Sequence, residues 1–563
     1  NIFDYQLTES ESGAGSTSDL LFYSRRIGGS PNRFVQPDNA AGFYVDQPEN
    51  STILGAAKVS GKTQSGLSLG LLTSFTEREV ATIDVNGVRE ETPVEPFTAY
   101  SVGRVQQDFN DRNSSVGVML TSVNRQLNAP ELDFLHRSAY SGGVDVVHRW
   151  KDRSWYINAN AVFSQVNGST EAITRTQRSF EHLFQRPDAN HLEVDTTLTQ
   201  LAGSSGAFSI GESAGKWTFE VGANWRSPEL ELNDIGFLLT SEEMNAFAST
   251  TRRWQKPFSI FRGLYWNHSV SAKWDWSGVA LSRGYNTSIN TEFKNFWSLN
   301  LSLGFEQLDI SKSFLRGGPL LRRPRGFGGG VNVGSDSRKK FRLGLDFNGG
   351  RSYDGIVASA NFGTSVNWQV SNAFSLYVRP SYGVSRREEQ YFNQVESNGE
   401  LIYLNGRIDR RTLSVTLRST LNITPDLTVQ YYAQPFIAKG NYRRFNQVGE
   451  DPLAKQFEDR FVLFDEASVS YDVGQNRYFI EANEPGQAMF SFTNPDFNRV
   501  QFRSNLVARW EYRPGSELFF VWAQGLGKSA DPDQDVFASL TGDLFGGDVR
   551  NNFLIKATYR WVR

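Results

Sequence analysis

The chain has 563 residues, a formal net charge of −3 and no cysteine. The lack of thiols excludes a disulfide scaffold, cysteine-ligated zinc or iron–sulfur centres, and thiol catalysis. The balance of 58 basic and 61 acidic residues argues against non-specific nucleic-acid binding, and no apolar run approaches the ~18 residues of a membrane-spanning helix. A mean hydropathy of −0.44 nevertheless accompanies 42 Phe, 20 Tyr and 13 Trp.

Apolar and polar residues alternate with period two along much of the chain. The alternation is clearest, in chain order, over residues 217–226, 296–307, 341–348, 412–422 and 553–561. One of these segments illustrates it with the series Phe341, Arg342, Leu343, Gly344, Leu345, Asp346, Phe347 and Asn348. This period predicts β-strands that have one apolar and one polar face.

Three features favour a membrane barrel over a soluble sandwich. Many of the alternating segments exceed the ~5–6 residues of ordinary strands and suit the ~9–11 residues of a tilted spanning strand. Aromatic residues stand at both ends of apolar faces, as in Trp217 and Trp225, which is typical of interfacial girdles. Short connections, such as residues 151–154, alternate with long ones, such as residues 167–200, as in outer-membrane barrels.

The predicted fold is therefore all-β, a large transmembrane antiparallel outer-membrane β-barrel of roughly 22–26 strands. Hydrocarbon offers no hydrogen-bond partners, so such a sheet must satisfy its own backbone. We expect short periplasmic turns, long extracellular loops, and one or two short helices at residues 169–186 and 241–248. Residues 1–51 are interpreted as an N-terminal extracellular loop region, and residues 52–563 as the barrel in the bacterial outer membrane.

Several segments resemble one family in combination. They are residues 22–28 (FYSRRIG), 53–58 (ILGAAK), 232–237 (LNDIGF), 432–438 (YAQPFIA), 490–497 (FSFTNPDF) and 508–515 (ARWEYRPG). The family is a group of bacterial outer-membrane β-barrels of unknown function whose members usually carry an N-terminal carbohydrate-binding-type domain. The resemblance implies a barrel and supplies no catalytic residues. It leaves the beginning unmatched, so we expect the family's N-terminal domain and first strands to be absent here.

Catalytic and metal motifs are weak. None of the five His residues stands in an HExxH spacing, and we predict that the protein is not an enzyme. His182 and Glu181 form the best candidate for a hydrolase site, against ordinary loop contacts. Asp531, Asp533 and Asp535 could supply spaced oxygen ligands to calcium, but Pro532 and the missing Gly and terminal Glu break the EF-hand pattern, which favours the alternative of a solvated acidic loop. No other cofactor is expected.

Charged residues of both signs are predicted on the inward, lumen-facing side of the strands. They are Arg342, Arg379, Arg418, Arg503, Arg509, Arg513, Glu220, Glu306, Asp346 and Glu511. Mixed signs indicate salt bridges rather than a selective charged filter. A basic segment at residues 322–325 (RRPR) is a candidate contact for lipopolysaccharide phosphate, against a solvated loop.

The predicted function is a pore or transporter-like channel for hydrophilic solutes, with saccharides among the candidates. One alternative is a structural barrel that anchors a partner protein or a surface assembly, and another is an outer-membrane hydrolase. The expected partners are outer-membrane lipid and lipopolysaccharide, the barrel-insertion machinery, and a partner protein or lipoprotein, with no nucleic acid.

Overall fold

The computed structural model describes residue 3 and residues 19–36, 43–397, 399–480, 490–544 and 549–561. The first strands are β1 (Phe43–Asp46), β2 (Ile53–Lys62), β3 (Leu67–Thr76), β4 (Glu79–Val85), β5 (Val88–Glu95), β6 (Thr98–Phe109), β7 (Ser114–Arg125), β8 (His136–Trp150) and β9 (Trp155–Gly168). Helix α1 (Thr170–Gln177) precedes β10 (Gln200–Glu212), β11 (Trp217–Arg226), β12 (Glu243–Trp254), β13 (Phe261–Trp274), β14 (Ala280–Phe293) and β15 (Ser298–Ser311).

The second part of the chain continues the same architecture. Its strands up to the next helix are β16 (Leu321–Arg322), β17 (Gly326–Gly334), β18 (Phe341–Ser352), β19 (Val357–Gln369), β20 (Phe374–Ser397), β21 (Glu400–Asn422) and β22 (Leu427–Val448). The last elements are α2 (Phe457–Arg460), β23 (Phe461–Leu463), β24 (Val469–Asp472), β25 (Arg477–Ile480), β26 (Phe490–Thr493), β27 (Phe497–Arg513), β28 (Ser516–Ser529), α3 (Val536–Gly542) and β29 (Arg550–Thr558). Short 3₁₀ turns lie at Ser24–Arg26, Pro130–Leu132 and Glu466–Ser468.

The strands belong to three sheets. Two are small, with the orders β1-β4-β5 and β24-β25-β26, and the third is a large antiparallel sheet of the barrel type. Among the described residues this large sheet contains 23 strands, of which β16 and β23 have only two and three residues. The predicted all-β antiparallel barrel of 22–26 strands is confirmed. Among the residues described, no helix combines the length and hydropathy that crossing a membrane requires.

Strand β11 shows how the alternation is used. Trp217, Phe219, Val221 and Trp225 are exposed, while every second residue between them is buried. We call the side that carries such exposed hydrophobic residues the apolar face, and the other side the opposite face. Because side chains alternate across a strand, the sequence pattern fixes which residue lies on which face.

Of the two predicted helices, one is confirmed and the other is wrong. Helix α1 lies within the predicted segment 169–186, and the Ser169 hydroxyl caps it by accepting from the Ala172 amide at 3.0 Å. The helix predicted at residues 241–248 is wrong, because this segment enters β12. There Met244 pairs with Trp225 and the register continues along β11, so sheet hydrogen bonding overrides a weak helical spacing.

Contacts between Cα atoms divide the chain into two units. Unit 1 comprises Asn1–Arg252, His268–Tyr285 and Ile310–Leu320. Unit 2 comprises Arg253–Asn267, Asn286–Asp309 and Leu321–Arg563. Each unit has its own packing.

In unit 1, the loop between β11 and β12 packs on the opposite face of the sheet. Its apolar side chains and those of the strands form one buried cluster that includes Leu21, Leu230, Leu232, Ile235, Leu238, Val102, Met119, Val123, Val162 and Val166. Backbone bonds between Leu20 and Phe237, 2.9 Å in each direction, tie residues 19–27 to this loop. Gly203 allows the closest approach, since a Cβ there would lie 2.2 Å from the Leu230 nitrogen.

Unit 2 has two separate apolar clusters. In one, Val536 and Leu544, at the ends of the α3 segment, pack on Leu413, Ile437 and Val500. In the other, the small sheet β24-β25-β26 packs on the long strands β20–β22, with a core of Leu404, Phe445, Ile480 and Phe492. The small sheet lies in the segment between β22 and β27, where the regular alternation of apolar and polar residues stops.

Candidate functional site

A ladder of amide side chains crosses the opposite face of unit 2. Asn300 on β15 stands directly across from Asn332 on β17, and Asn332 stands across from Asp346 on β18. The Asn332 amide donates to the Asn300 carbonyl oxygen at 3.4 Å. The Asn300 amide in turn donates to the Asn290 oxygen on β14. Cross-strand register therefore joins side chains that are far apart in sequence.

Charges on this face are paired with one another. Arg379 on β20 binds Asp346 at 3.1 Å. On the neighbouring strands β13 and β14, Arg262 binds Glu292 at 3.0 Å. Mixed signs on one face thus produce an ion pair between Asp346 and Arg379, two of the residues that the sequence placed among its inward-facing candidates.

Glycines on the opposite face leave room for these polar side chains. A Cβ on Gly330 would lie 2.2 Å from Asn348 Oδ1, and one on Gly363 would lie 2.5 Å from Asp346 Oδ2. A Cβ on Gly344 would lie 2.5 Å from Ser365 Oγ. The polar groups therefore lie against the backbone of the adjacent strand, and part of the chain's glycine content serves this purpose.

A recess of about 720 Å³ opens where the ladder and the ion pairs meet. Its wall includes the three amides of the ladder, both ion pairs and the Tyr265 ring. This volume lies within the ~300–1,000 Å³ of small-molecule sites. The recess is the best candidate for a binding site in unit 2.

The other predicted inward-facing residues lie in strands but are not gathered into one site. The Arg418 guanidinium lies 5.9 and 5.6 Å from the rings of Tyr377 and Tyr432, a cation–π arrangement. Arg509 binds Glu517 and stands 3.7 Å from Glu511, while Arg513 donates to the Tyr559 hydroxyl at 3.1 Å. Arg342, Arg503 and Glu306 are exposed and Glu220 is buried. That these residues face an aqueous lumen remains a prediction.

In unit 1, a buried ion-pair network fastens the β11–β12 loop to the strands. Asp234 in the loop binds Arg125 at 2.5 Å and His136 Nδ1 at 2.8 Å. His136 Nε2 lies 2.7 Å from the Thr176 hydroxyl, which itself donates to the Ala172 carbonyl. Both ring nitrogens of His136 therefore donate, which is the pattern of a charged imidazolium. Threonine, histidine and aspartate stand here in a triad-like series, but a charged histidine is not a general base.

A second buried network surrounds Glu242 at the end of the same loop. The Glu242 carboxylate binds His191 at 2.7 Å, Arg186 at 3.2 Å and Lys312 at 3.4 Å. Glu242 is fully buried and has a φ of 58°, a conformation that non-glycine residues adopt rarely. Loss of this carboxylate would leave Arg186 and Lys312 buried without their partner, which is costly.

Burial shifts the pKa of ionisable groups in the same loop. Burial raises the pKa of Glu231 to about 7, and the nearby Asp234 carboxylate adds to the effect. For Asp234 burial acts in the same direction, but the charges of His136 and Arg125 hold its pKa well below the ordinary value. At neutral pH the Asp234 carboxyl is therefore ionised, whereas the Glu231 carboxyl, with its pKa raised to about 7, is partly protonated.

The predicted hydrolase pair is not arranged for catalysis. His182 is fully buried, and its Nε2 donates to the Leu230 carbonyl at 3.1 Å while its Nδ1 contacts the Ser179 hydroxyl. Burial lowers the pKa of His182 to about 3, so the ring is neutral. Glu181 contributes its backbone carbonyl, which accepts from the Ser241 amide at 2.9 Å. These contacts are structural.

The predicted basic contact for lipopolysaccharide is largely engaged within the protein. Arg323 is buried and binds Glu389 at 2.8 Å, and Glu389 also faces Arg460 at 3.5 Å. Arg322 donates to the Leu453 carbonyl at 2.5 Å. Arg325 remains exposed, so the segment does not present a continuous basic surface.

Two of the three aspartates proposed for calcium accept hydrogen bonds from the local backbone. Asp531 accepts from the Asp533 amide at 2.9 Å, closing a local turn. Asp535 caps α3 by accepting from the Phe537 amide at 2.9 Å, and it also faces Arg411 at 3.4 Å. Within the described part of the chain, no three His, Cys, Asp or Glu side chains are grouped as metal ligands. The structure therefore does not gather these carboxylates into a calcium site.

The sequence can now be placed among known proteins. The family described as "Domain of unknown function (DUF5916)" matches residues 17–560. The chain belongs to this family. The predicted membership of a family of unknown function is confirmed, and DUF5916 brings no assigned activity. No curated protein sequence matches the chain.

Solved structures similar to the chain include a receptor, a transporter and an importer. The siderophore receptor PiuA from Acinetobacter baumannii has a TM-score of 0.38 at 9% identity, and the match covers 86% of this chain and 78% of PiuA. The outer membrane transporter YddB from Escherichia coli has a TM-score of 0.37 at 8% identity, with 89% and 66% covered. The RagAB peptide importer has a TM-score of 0.37 at 10% identity, with 90% and 65% covered. The chain thus spans about two thirds of the length of YddB and of the RagAB importer.

Proposed function

We propose that the protein is a bacterial outer-membrane β-barrel that captures or passes hydrophilic solutes. The observation that carries the proposal is the division of the strands into two faces. The apolar face exposes Trp217, Leu303, Phe347 and other large hydrophobic side chains, as lipid contact requires. The opposite face of unit 2 carries the amide ladder, the paired charges and the recess.

The proposed role of the recess is binding rather than catalysis. Amide and paired charged groups can exchange their hydrogen bonds with water for bonds to a polar solute at little net cost. A solute would therefore be held weakly and released again, which suits a path across a membrane. In unit 1 the β11–β12 loop occupies the opposite face, so passage there requires the loop to leave its ion-pair networks.

The β11–β12 loop, which covers the opposite face in unit 1, also favours a second function. In this function the protein is a structural barrel that anchors a partner protein or lipoprotein. A permanently packed loop would make unit 1 a support rather than a path. Under both functions, lipid, lipopolysaccharide and the barrel-insertion machinery remain expected partners.

Ion conductance in planar bilayers distinguishes the two functions. We expect the purified full chain to give stepwise conductance, and the variant Asp234→Ala to increase it by loosening the loop. A variant that lacks residues 228–241 provides a second test of the loop. The absence of conductance in all three proteins would contradict a pore and favour the anchoring function, while recovery of the protein outside the outer-membrane fraction would contradict both.

A further inference from the structure

We infer that the recess on the opposite face of unit 2 binds a neutral polyhydroxylated ligand, of which a short saccharide is the chemical class that fits. The inference rests on the proposed function, because it names the class of solute that this face would handle. It stands on three features of the recess, which are its hydrogen-bonding groups, its charge balance and the shape of its wall.

The hydrogen-bonding groups suit vicinal hydroxyls. A side-chain amide carries two donors and an oxygen with two lone pairs. In the directional ladder from Asn332 through Asn300 to Asn290, Asn300 uses one donor and one lone pair for its neighbours. One donor and one lone pair remain, and neighbouring hydroxyls of a sugar can satisfy both together because each hydroxyl donates and accepts.

The charge balance excludes an ionic ligand as the best fit. The wall contains four charged residues, and they form two pairs, Arg262 with Glu292 at 3.0 Å and Asp346 with Arg379 at 3.1 Å. An anion would have to draw an arginine away from its carboxylate, and a cation would have to draw a carboxylate away from its arginine. A neutral ligand can bind while both pairs remain intact.

The wall is shaped by glycines. A Cβ on Gly334 would lie 2.6 Å from Ser298 Oγ, and one on Gly344 would lie 2.5 Å from Ser365 Oγ. Both glycines and both serines line the recess, so the hydroxyls lie close to the backbone and leave the space above them open. The half-exposed Tyr265 ring supplies an apolar surface for the C–H face of a sugar ring.

Calorimetry on the full chain in detergent micelles tests the inference with maltotriose as the neutral probe and trigalacturonate as a charged probe of equal length. We expect maltotriose to bind more tightly than trigalacturonate.

Asn300→Ala should weaken maltotriose binding about three- to tenfold, the worth of one neutral hydrogen bond. Asn332→Ala gives an independent measurement should the first variant fail to assemble. Asn361→Ala is the matched control, because Asn361 lies on the same face outside the recess and should leave affinity unchanged.

A substitution that removes one charge from the wall of the recess gives the sharpest test of the ligand class. Asp346→Asn leaves Arg379 without its carboxylate and should increase the affinity for trigalacturonate several-fold above that of the wild type. Wild-type binding of trigalacturonate as tight as that of maltotriose would overturn the inference. If neither sugar binds while the protein conducts ions, the ligand class is wrong and the proposed passage of solutes stands. Maltotriose binding without conductance would support the ligand class and contradict the pore.

Discussion

In unit 1 a loop packs on the opposite face of the sheet, where Leu230 and Leu232 meet Met119 and Val123. In unit 2 the α3 segment packs on the apolar face, where Val536 meets Ile437, and the opposite face is left to amides and ion pairs. The same alternating strands therefore support a filled region in one unit and an open, polar recess in the other. What separates them is which face the connecting loops cover.

The difference has a physical origin in the strands themselves. In β7, Val118, Met119 and Leu120 are consecutive apolar residues, with Leu120 exposed and Met119 fully buried. Both faces of the strand are then apolar and both need cover. In β18 the opposite face carries Asp346 and Asn348, so an apolar loop would leave buried polar groups without partners.

The largest expected effect comes from the buried network of unit 1. Asp234→Ala leaves Arg125 and His136 buried without their carboxylate, which costs about 3–5 kcal/mol. We expect the amides of residues 227–242 to exchange hydrogen far faster in this variant, as hydrogen–deuterium exchange of the full chain would measure.

The matched control is Asp84→Ala, which removes an exposed pair with Arg89 on the β4–β5 hairpin. It should leave the exchange of the loop unchanged, because exposed pairs contribute little. Equal exchange in Asp234→Ala and in the wild type would mean that apolar packing alone holds the loop, and the two units would then differ in packing only.

Protonation of Glu231 should make the loop sensitive to pH. Its pKa rises from 4.5 to about 7 when the loop packs, so between these pH values the released loop binds fewer protons than the packed one. The contribution of Glu231 to the stability of the packed state therefore falls as pH rises from about 4.5 to 7 and levels off above 7, by at most about 3.4 kcal/mol at 1.36 kcal/mol per pH unit.

Glu231→Gln should remove this contribution and keep the acceptor for the Asn233 amide, while the contribution of the buried neutral His182, which has the opposite sign, stays in both proteins. Exchange measured at pH 5 and pH 8 in the wild type and in the variant, corrected for the intrinsic rate, checks the difference. The same pH dependence in both proteins would show that Glu231 is charged in the packed state.

How much of the fold and of the candidate site could be predicted from the sequence depends on how far apart the interacting residues lie in the chain. Alternation is local, so the strands and their two faces could be predicted. Asp346 and Arg379 do pair, because they share one face of the sheet and Gly363, on the strand between β18 and β20, places no side chain between them. Asp535 was assigned to calcium although an aspartate before a short helix is a standard N-cap, a signal that was present in the sequence.

The loop networks and the amide recess could not be derived in the same way. Asp234 meets Arg125 across 109 residues, and no local pattern encodes that distance. The contacts of glycines with polar side chains, such as Gly330 with Asn348, depend on the register between β17 and β18. A register shift of one residue would place these side chains on opposite faces.

The same substitution in the two units gives a direct comparison. Gly203→Ala in unit 1 places a Cβ 2.2 Å from the Leu230 backbone nitrogen, which cannot rotate away. Gly330→Ala in unit 2 instead meets side-chain atoms, Asn348 Oδ1 at 2.2 Å and Ser302 Oγ at 3.2 Å. We expect the first to cost about 1–3 kcal/mol and to release the loop, and the second to cost less than about 1 kcal/mol, as Asn348 turns aside. Thermal unfolding and exchange of residues 227–242 would measure both. Similar losses in the two variants would mean that the β17–β18 wall is packed as tightly as unit 1.

The smallest effect concerns α3 and the expected calcium. Asp535→Ala removes the cap of a seven-residue helix, which costs about 1 kcal/mol locally, and the half-exposed contact with Arg411 adds little. Exchange of residues 536–542 should therefore increase modestly, while the loop of unit 1 is unaffected. Because the described residues hold no group of three acidic, His or Cys side chains placed as metal ligands, we expect the wild-type exchange to be the same in calcium and in a chelator. Protection of α3 by calcium in the wild type but not in Asp535→Ala would restore the metal site that the sequence suggested, and it would mean that the α3 segment is held by an ion rather than by Val536 and Leu544.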